Sequence, residues 1–293
     1  MIKIKYKLAK KRIPPMLWDE YVHIAKSEYE TLLNKQESGE AVFHKFFERH
    51  PSFIPGGCDL DDGSGHAPYA LSLISKPGLS GSFERIPDFL WLASYSGVFH
   101  PIFIEIESPG KRVFNVDGSA TKKFNQAVDQ LRYWKIWIEE PSNISILMKK
   151  FGLDKTYLAD NKFVPKFLLI YGRRAEFTSN KMRKKLREEF LCGIGTIRSY
   201  DGLIPSHKCK DCFSVKITEN GYEAIEVMPT IEICPASADS YSLITGKDQA
   251  IKKNKYISKA RKEFLIDRFK YWDNWVISTP SSARGVFNGR DVE

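Results

Sequence analysis

The sequence predicts an α/β fold in which a mixed central sheet is flanked by helices, with a C-terminal α+β extension. Apolar residues recur at helical spacing in two segments near the N-terminus. Strand and helix patterns then alternate between residues 86 and 200, as they do in α/β proteins. Because the pattern changes after Ile204, we expect a basic, helical N-terminal segment over 1–36, a core over 37–204 and an extension over 205–293.

Each predicted element rests on a local pattern. Helices are predicted where apolar residues recur every three or four positions, and strands where short apolar runs are bounded by turn residues. Ser96-Gly97 and Asn220-Gly221 mark two hairpin turns. In chain order the predicted elements are helices Leu17–Leu33 and Gly39–Arg49, a short strand within Tyr69–Ile74, a hairpin of Ile86–Ser94 and Pro101–Ser108, helix Thr121–Glu140, strand Phe163–Tyr171, helix Asn180–Leu191, strand Gly195–Tyr200, a hairpin of Phe213–Ile217 and Tyr222–Val227, and helix Lys247–Tyr271.

The composition favours a polyanionic partner. Lys and Arg number 45 against 36 Asp and Glu, which gives a formal net charge of +9 and a pI near 9.1. Such a balance is typical of proteins that bind nucleic acid or an anionic membrane surface. No stretch approaches the roughly 20 apolar residues that span a bilayer, and the basic start Met1–Arg12 leads into no signal-peptide core. We therefore expect a cytoplasmic protein that does not contact a membrane.

The cysteine content does not indicate a disulfide framework, because five is an odd number in a long chain. His207, Cys209 and Cys212 resemble the start of a zinc site, but a single C-x-x-C is a weak signal. A structural zinc needs four clustered ligands and only three are local here. Ordinary reduced thiols are therefore the favoured interpretation.

The most informative residues belong to the first predicted hairpin. A symmetric turn centred on Ser96-Gly97 places Asp88 opposite Glu105, and Glu107 follows on the same face. Opposed residues have Cβ atoms about 4.5–5.5 Å apart, so two carboxylates there can bind one divalent cation. The flanking residues are apolar on both faces, and buried acids would need that cation. The alternative is a solvent-facing strand edge whose acids pair with Lys or Arg.

The order of these segments resembles the PD-(D/E)XK nuclease superfamily: Pro87-Asp88, then Ile104–Glu107 on the next strand, then a helix with Gln130. More narrowly, the chain resembles the Shedu nuclease domain over roughly Glu37–Leu203. The segments that carry this likeness are Glu105–Pro109, Thr121–Trp134 with Ala127, Gln130 and Trp134 in place, Tyr171–Arg174 with the basic helix after it, and Thr196–Leu203. The resemblance implies a restriction-endonuclease-like sheet and immunity against phage.

The resemblance also implies a metal site. Asp88 and Glu105 would bind Mg²⁺ or Mn²⁺, with the carbonyl oxygen of Ile106 as a further ligand and Glu40 completing the sphere. The sequence departs from the superfamily in that an acid stands where a lysine is usual. Four further residues are therefore predicted to act in catalysis: Glu107, which occupies that position and could hold a second metal, Lys123 as the preferred assisting cation, Lys111 as the other, and Gln130, which could orient water or phosphate.

A basic surface is predicted on and before the helix Asn180–Leu191. The residues expected to contact DNA phosphates are Arg173, Arg174, Lys181, Arg183, Lys184, Lys185 and Arg187. The competing interpretation is a solvated helix face, since Glu188 and Glu189 dilute the charge. No zinc-finger, zipper or RNA-recognition signature is present, so sequence-specific readout is not predicted.

Together these observations predict a metal-dependent DNA endonuclease or nickase that hydrolyses phosphodiesters of phage or plasmid DNA. The resemblance adds anti-phage defence and a homo-oligomeric assembly. The alternative is a catalytically inactive, nuclease-like fold that binds nucleic acid or a protein partner, which the acid in the lysine position favours. A glycosidase with two carboxylates about 5 Å apart is less consistent with acids on adjacent strands and no aromatic cluster beside them.

Overall fold

A computed structural model describes residues 6–35, 39–58, 67–79, 86–95, 97–153, 160–178, 180–280, 284, 288 and 290–293. Eight α-helices lie within these ranges: α1 (Trp18–Asn34), α2 (Glu40–Arg49), α3 (Lys122–Glu139), α4 (Pro141–Lys150), α5 (Lys181–Glu189), α6 (Ala238–Ser242), α7 (Lys247–Lys253) and α8 (Lys259–Ser278). Nine strands accompany them: β1 (Ser72–Ser75), β2 (Phe89–Tyr95), β3 (Val98–Ile106), β4 (Lys162–Phe163), β5 (Lys166–Ile170), β6 (Thr196–Arg198), β7 (Phe213–Thr218), β8 (Gly221–Val227) and β9 (Ile244–Thr245).

All nine strands form a single mixed sheet. The order is β6-β5-β3-β2-β1-β7-β8-β9, and β4 pairs with β3 beside this path. The pairs β1–β2, β2–β3 and β7–β8 are antiparallel, whereas β3–β5, β5–β6 and β1–β7 are parallel. The predicted mixed sheet flanked by helices is confirmed. The narrower restriction-endonuclease-like topology stays a prediction.

The first hairpin has the predicted register. Phe89 lies opposite Ile104, and the same pairing continues without a shift to Tyr95 opposite Val98. Gly97 adopts a positive φ of 81°, which suits a tight turn. No bulge interrupts the ladder between these pairs, so the residues at its open end are brought face to face.

Both faces of the sheet are covered. On one face, Phe99 and Phe103 of β3 pack in a core that includes Leu131 and Trp134 of α3. On the other face, the alternate β3 residues pack with Tyr21 of α1 and with α2. This double coverage explains why strand residues of both parities are apolar.

The predicted extension joins the same sheet as the core. β7 pairs in parallel with β1, with Ser72 opposite Phe213, and α8 packs its Leu265 and Trp272 in the core shared with α3. The segment boundaries near residues 36 and 204 stay a prediction. Within the described residues, no helix combines the length and apolar character needed to cross a membrane.

Two predicted elements differ from the structure, and one helix was not predicted. The helix predicted over Lys247–Tyr271 is two helices, because the buried Asn254 ends α7, accepts a hydrogen bond from the N–H of Tyr256 at 2.9 Å, and is followed by Ser258 as the N-cap of α8. The strand predicted over Phe163–Tyr171 is split into β4 and β5 at Pro165, which has no N–H to donate. The helix α4 was not predicted. Parts of the loop Pro55–Gly81, namely 59–66, 80 and 81, lie outside the described residues.

Candidate active site

Two acids meet at the open end of the first hairpin. The register of β2 and β3, continued by one residue beyond Phe89 and Ile104, places Asp88 opposite Glu105. Both are buried, with 2% and 7% of their surface exposed. The backbone N–H of Ile106 donates a hydrogen bond to Oδ2 of Asp88 at 2.8 Å. This bond fixes the Asp88 carboxylate beside the end of β3.

The environment of Glu105 disfavours its charged form. Burial, followed by the negative charge of Asp88 and a hydrogen bond shared with it, raises the pKa of Glu105 well above its usual value. Its Oε2 atom is buried, and in the described part of the chain no group donates a hydrogen bond to it. A buried carboxylate oxygen without a donor is costly unless a cation approaches it.

Two further acids lie beside this pair. Glu40 is the first residue of α2, and Glu107 follows β3 with its N–H donating to the carbonyl of Ile170 at 2.9 Å. Burial, followed by the charges of Asp88 and Glu107, raises the pKa of Glu40 to about 7. We refer to Glu40, Asp88, Glu105 and Glu107 as the acid site.

Two lysines neutralise part of this charge. The ammonium group of Lys111 pairs with Glu107 and lies 3.9 Å from Oε2 of Glu40. The ammonium group of Lys76 pairs with Oδ1 of Asp88. Partial burial disfavours the charged form of Lys76, but the carboxylates of Asp88 and Glu105 outweigh it and raise the pKa of Lys76. Asp88 and Glu105 are therefore buried, as the metal-site interpretation predicts. Asp88 and Glu107 are also paired with lysines, as the alternative of a solvent-facing strand edge predicts.

Lys76 was not identified from the sequence. It follows β1 with a positive φ of 44°, and its N–H donates to the carbonyl of Asp88 at 2.9 Å, so it extends the ladder between β1 and β2. Since the connection from β1 to β2 is long, no turn signal sets that register in the sequence. The one feature of the sequence that could have indicated Lys76 is its place at the end of a strand, directly before the turn residues Pro77-Gly78.

A polar chain supports the backbone of Asp88 from the α2 side. His44 stacks on Phe89 with ring centroids 4.5 Å apart, and its Nε2 lies 3.4 Å from the carbonyl oxygen of Asp88. The other ring nitrogen lies 3.6 Å from Oε1 of Glu48, which accepts a hydrogen bond from the hydroxyl of Ser75 at 2.7 Å. These contacts hold β1, β2 and α2 together around the acids.

The other predicted catalytic residues lie on α3. Lys123 is exposed in the first turn, after the N-cap Thr121, and Gln130 is half-buried further along. Among the described residues, Lys76 and Lys111 are the cations with the largest effect on the acids of this site. A role for Lys123 or Gln130 stays a prediction.

The predicted basic surface divides into two groups. Three residues have structural partners: Arg173 pairs with Asp201 at 2.8 Å and donates to the carbonyl of Leu33 at 3.0 Å, Arg183 donates to two carbonyls of the loop before α3, and Arg187 is buried over the ring of Phe177. The side chains that extend into solvent are those of Arg174, Lys181, Lys184 and Lys185. All seven residues stay predicted phosphate contacts, and these four are the ones whose side chains are exposed.

Oxygen donors of the acid site suit Mg²⁺ or Mn²⁺, because hard divalent ions prefer carboxylate and carbonyl ligands. The Oε2 atom of Glu105, which accepts no hydrogen bond from the described residues, is available to such an ion. No three side chains of the acid site, all of which the structure describes, have ligand atoms within 4.8 Å of one another. The one such group among the described residues consists of cysteines. An ion here would be held first by Asp88 and Glu105, and Glu40, the carbonyl oxygen of Ile106 and water would fill the positions that remain.

One comparison with known proteins matches a family model to this part of the chain. Residues 37–204, more than half of the chain, match the family described as Shedu protein SduA, C-terminal, which is associated with anti-phage defence. The matched span contains all four residues of the acid site. A search of curated proteins found no match. The chain therefore belongs to the Shedu SduA family.

Proposed function

We propose that this protein is a Mg²⁺- or Mn²⁺-dependent deoxyribonuclease of the PD-(D/E)XK type, which nicks or cuts phage or plasmid DNA. The observation that carries the proposal is the opposition of Asp88 and Glu105 across the first hairpin, with a buried Glu105 oxygen that receives no hydrogen bond from the described residues. Family membership supports a role in anti-phage defence.

Asp88 and Glu105 would hold the ion, and the bond from Ile106 to Asp88 would orient one of the two carboxylates. The carbonyl oxygen of Ile106 and the Glu40 carboxylate are the further ligands we expect. A bound divalent ion supplies a lowered pKa for water and stabilises charge developing on the phosphate. Glu40 needs to lose its proton to contribute, and its pKa of about 7 allows this near neutral pH.

Lys111 is the cation best placed to assist. Its ammonium group contacts Glu107 and lies 3.9 Å from Glu40, so it is held at the acid site by an acid that stands in the usual lysine position. A fixed positive charge there would stabilise the negative charge of the phosphate in the transition state. Glu107 would then position Lys111, which would take over the role of the usual lysine.

The exposed cations before and on α5 would track the DNA backbone. Arg174, Lys181 and Lys184 line one groove together with Arg198. Such a surface binds phosphates without reading bases, so we expect salt-sensitive, sequence-tolerant binding. Self-association, implied by the family resemblance, would place two acid sites on one DNA molecule.

Plasmid nicking tests the proposal. Wild-type protein should convert supercoiled plasmid to open circles with Mg²⁺ or Mn²⁺ but not with EDTA, and Asp88→Asn and Glu105→Gln should each lower the rate by about 10³-fold or more. Asp129→Asn is the matched control, because Asp129 is an exposed acid on α3 that pairs with Arg132. Equal rates in wild type and both site variants would refute catalysis through this acid pair.

A second function is favoured by one observation. Glu107 occupies the position of the usual lysine and is itself neutralised by Lys111, which an inactive site that only binds would tolerate. In that case the protein would bind nucleic acid or a protein partner without cutting. Salt-sensitive binding of plasmid by a folded wild type, with no cleavage under any divalent ion, would establish this alternative.

A further inference from the structure

Three cysteines from opposite halves of the sequence meet in the core. The Sγ atoms of Cys58, Cys209 and Cys212, called the cysteine cluster below, all lie within 4.8 Å of one another. Each of these residues is at most 4% exposed. The prediction from the sequence had grouped the C-x-x-C pair with His207, but the ring of His207 packs edge-on against Trp18 at 5.0 Å.

The backbone brings Cys58 to the other two thiols through specific packing. A Cβ atom at Gly56 would lie 2.9 Å from Cδ1 of Ile102, and one at Gly57 would lie 2.9 Å from the ring of Trp91. Two glycines therefore let the chain press against the sheet directly before Cys58. The position of Cys58 is therefore fixed by the packing of the preceding residues on the sheet.

The C-x-x-C segment is anchored on the opposite side. The N–H of Ser206 donates to the carbonyl of Ser52 at 2.8 Å, and the N–H of Met228 donates to the carbonyl of Cys212 at 3.2 Å. Cys212 directly precedes β7. The two segments that supply the thiols are therefore both tied to the sheet.

The spacing of the sulfur atoms suits a thiophilic ion. With Zn–S bonds of about 2.3 Å, two sulfurs of a tetrahedral site lie about 3.8 Å apart, which is inside the observed limit. Burial of one cysteine needs no explanation, since cysteine is among the most buried residue types. The convergence of three thiols on one point does need an explanation. Thiolates bind zinc in preference to the hard ions that carboxylates bind.

We infer that the cysteine cluster is a structural zinc site, in which Cys58, Cys209 and Cys212 bind Zn²⁺ as thiolates. A water or another light-atom donor takes the fourth position, which a protein side chain fills in most structural zinc sites. Binding displaces the thiol protons to solvent. Lys208 is exposed and directly precedes Cys209, so its positive charge offsets part of the negative charge that three thiolates leave on the site. The ion would link the segment after α2 to the start of β7.

Metal analysis of purified protein tests this site. Protein expressed in zinc-supplemented medium and purified without chelators should contain about one zinc per chain, as measured by inductively coupled plasma mass spectrometry. Cys58→Ser, Cys209→Ser and Cys212→Ser should each lose most of it, whereas Cys192→Ser, a change at an exposed cysteine, should retain it. Zinc retained by all three cluster variants, or absent from wild type, would overturn the inference.

A second measurement needs no variant and stays informative where a serine substitution prevents folding. Wild-type protein loaded with Co²⁺ should show a sulfur-to-cobalt charge-transfer band and intense tetrahedral d–d bands, and zinc X-ray absorption should show three sulfur neighbours and one lighter atom. A disulfide within the cluster is the competing state. Under denaturing conditions without reductant it would leave three reactive thiols of the five, and that count, or a cobalt spectrum without sulfur bands, would refute the zinc site.

Discussion

The acid site and the cysteine cluster are two candidate metal sites that differ in chemistry and in construction. The acid site uses oxygen donors from strands adjacent in sequence, and lysines already balance part of its charge. The cysteine cluster uses buried sulfur from segments far apart in the chain. On our proposals, the first site would hold an ion that exchanges and meets substrate, and the second would hold an ion that stays. Because carboxylates and thiolates prefer different ions, the two proposed metals would compete little for each other's site.

The largest expected effect separates the two sites by stability. Cys212→Ala should lower the melting temperature by about 10 °C or more, because a structural zinc contributes several kcal/mol of folding free energy. Asp88→Asn should change it by only a few degrees, since that acid carries function at some cost to stability. Thermal denaturation of both variants beside Cys192→Ala measures this. Similar melting temperatures for Cys212→Ala and Cys192→Ala would break the comparison.

The next effect concerns which lysine assists at the acid site. Lys111→Ala should lower the cleavage rate by about 10²-fold while leaving the melting temperature nearly unchanged, because it removes a charge that acts on the transition state. Lys122→Ala, a change at an exposed lysine of α3, is the control. A larger loss in Lys123→Ala than in Lys111→Ala would assign the role to Lys123, as preferred from the sequence.

The pH dependence of metal binding should sharpen the contrast further. Glu40 and Glu105 have raised pKa values, so protons compete with Mg²⁺ at low pH. Lowering the pH from 7 to 6 should raise the half-saturating Mg²⁺ concentration by up to about tenfold for each proton displaced. Glu40→Gln should flatten this dependence in cleavage assays. A half-saturating concentration that is constant across this range would contradict the assigned ligands.

A smaller effect is expected on stability without divalent ions. The folded-state pKa of Glu105 is raised, so the folded chain holds a proton that the unfolded chain releases, and the stability contributed by this group falls as pH rises above about 4.3. Glu105→Gln should therefore raise the free energy of unfolding by about 1 kcal/mol at pH 8 and by less at pH 5. Urea denaturation at both values measures this, and a destabilised variant at pH 8 would show that Glu105 is structural.

The smallest effect concerns the exposed cations of α5. The double change Lys184→Ala, Lys185→Ala should weaken plasmid binding by about threefold per lysine and reduce the slope of log affinity against log salt by about 2. The same change at Lys252 and Lys253 of α7 is the matched control. Equal salt slopes in both double variants would remove α5 from the DNA surface.

The acid pair could be predicted from the sequence because a short turn sets the register of both strands. Lys76 could not, since its place opposite Asp88 follows from pairing across a long connection. Cys58 was missed for the same reason: long-range packing of Gly56 and Gly57 on the sheet, rather than any spacing motif, brings it to the C-x-x-C pair. The break between α7 and α8 was missed because the hydrogen bonds of Asn254 outweigh a continuous helical pattern.

The parallel pairing of β7 with β1 has a practical consequence. The family match ends at residue 204, and β1 has one side bonded to β2 and the other to β7, which lies beyond that limit. A shortened protein covering 37–204 would leave the backbone of β1 unpaired on that side and uncover four residues, Ser72–Ser75, that are buried in the full chain. Such an edge recruits strands from other molecules, so the shortened protein should aggregate where the full chain remains dispersed.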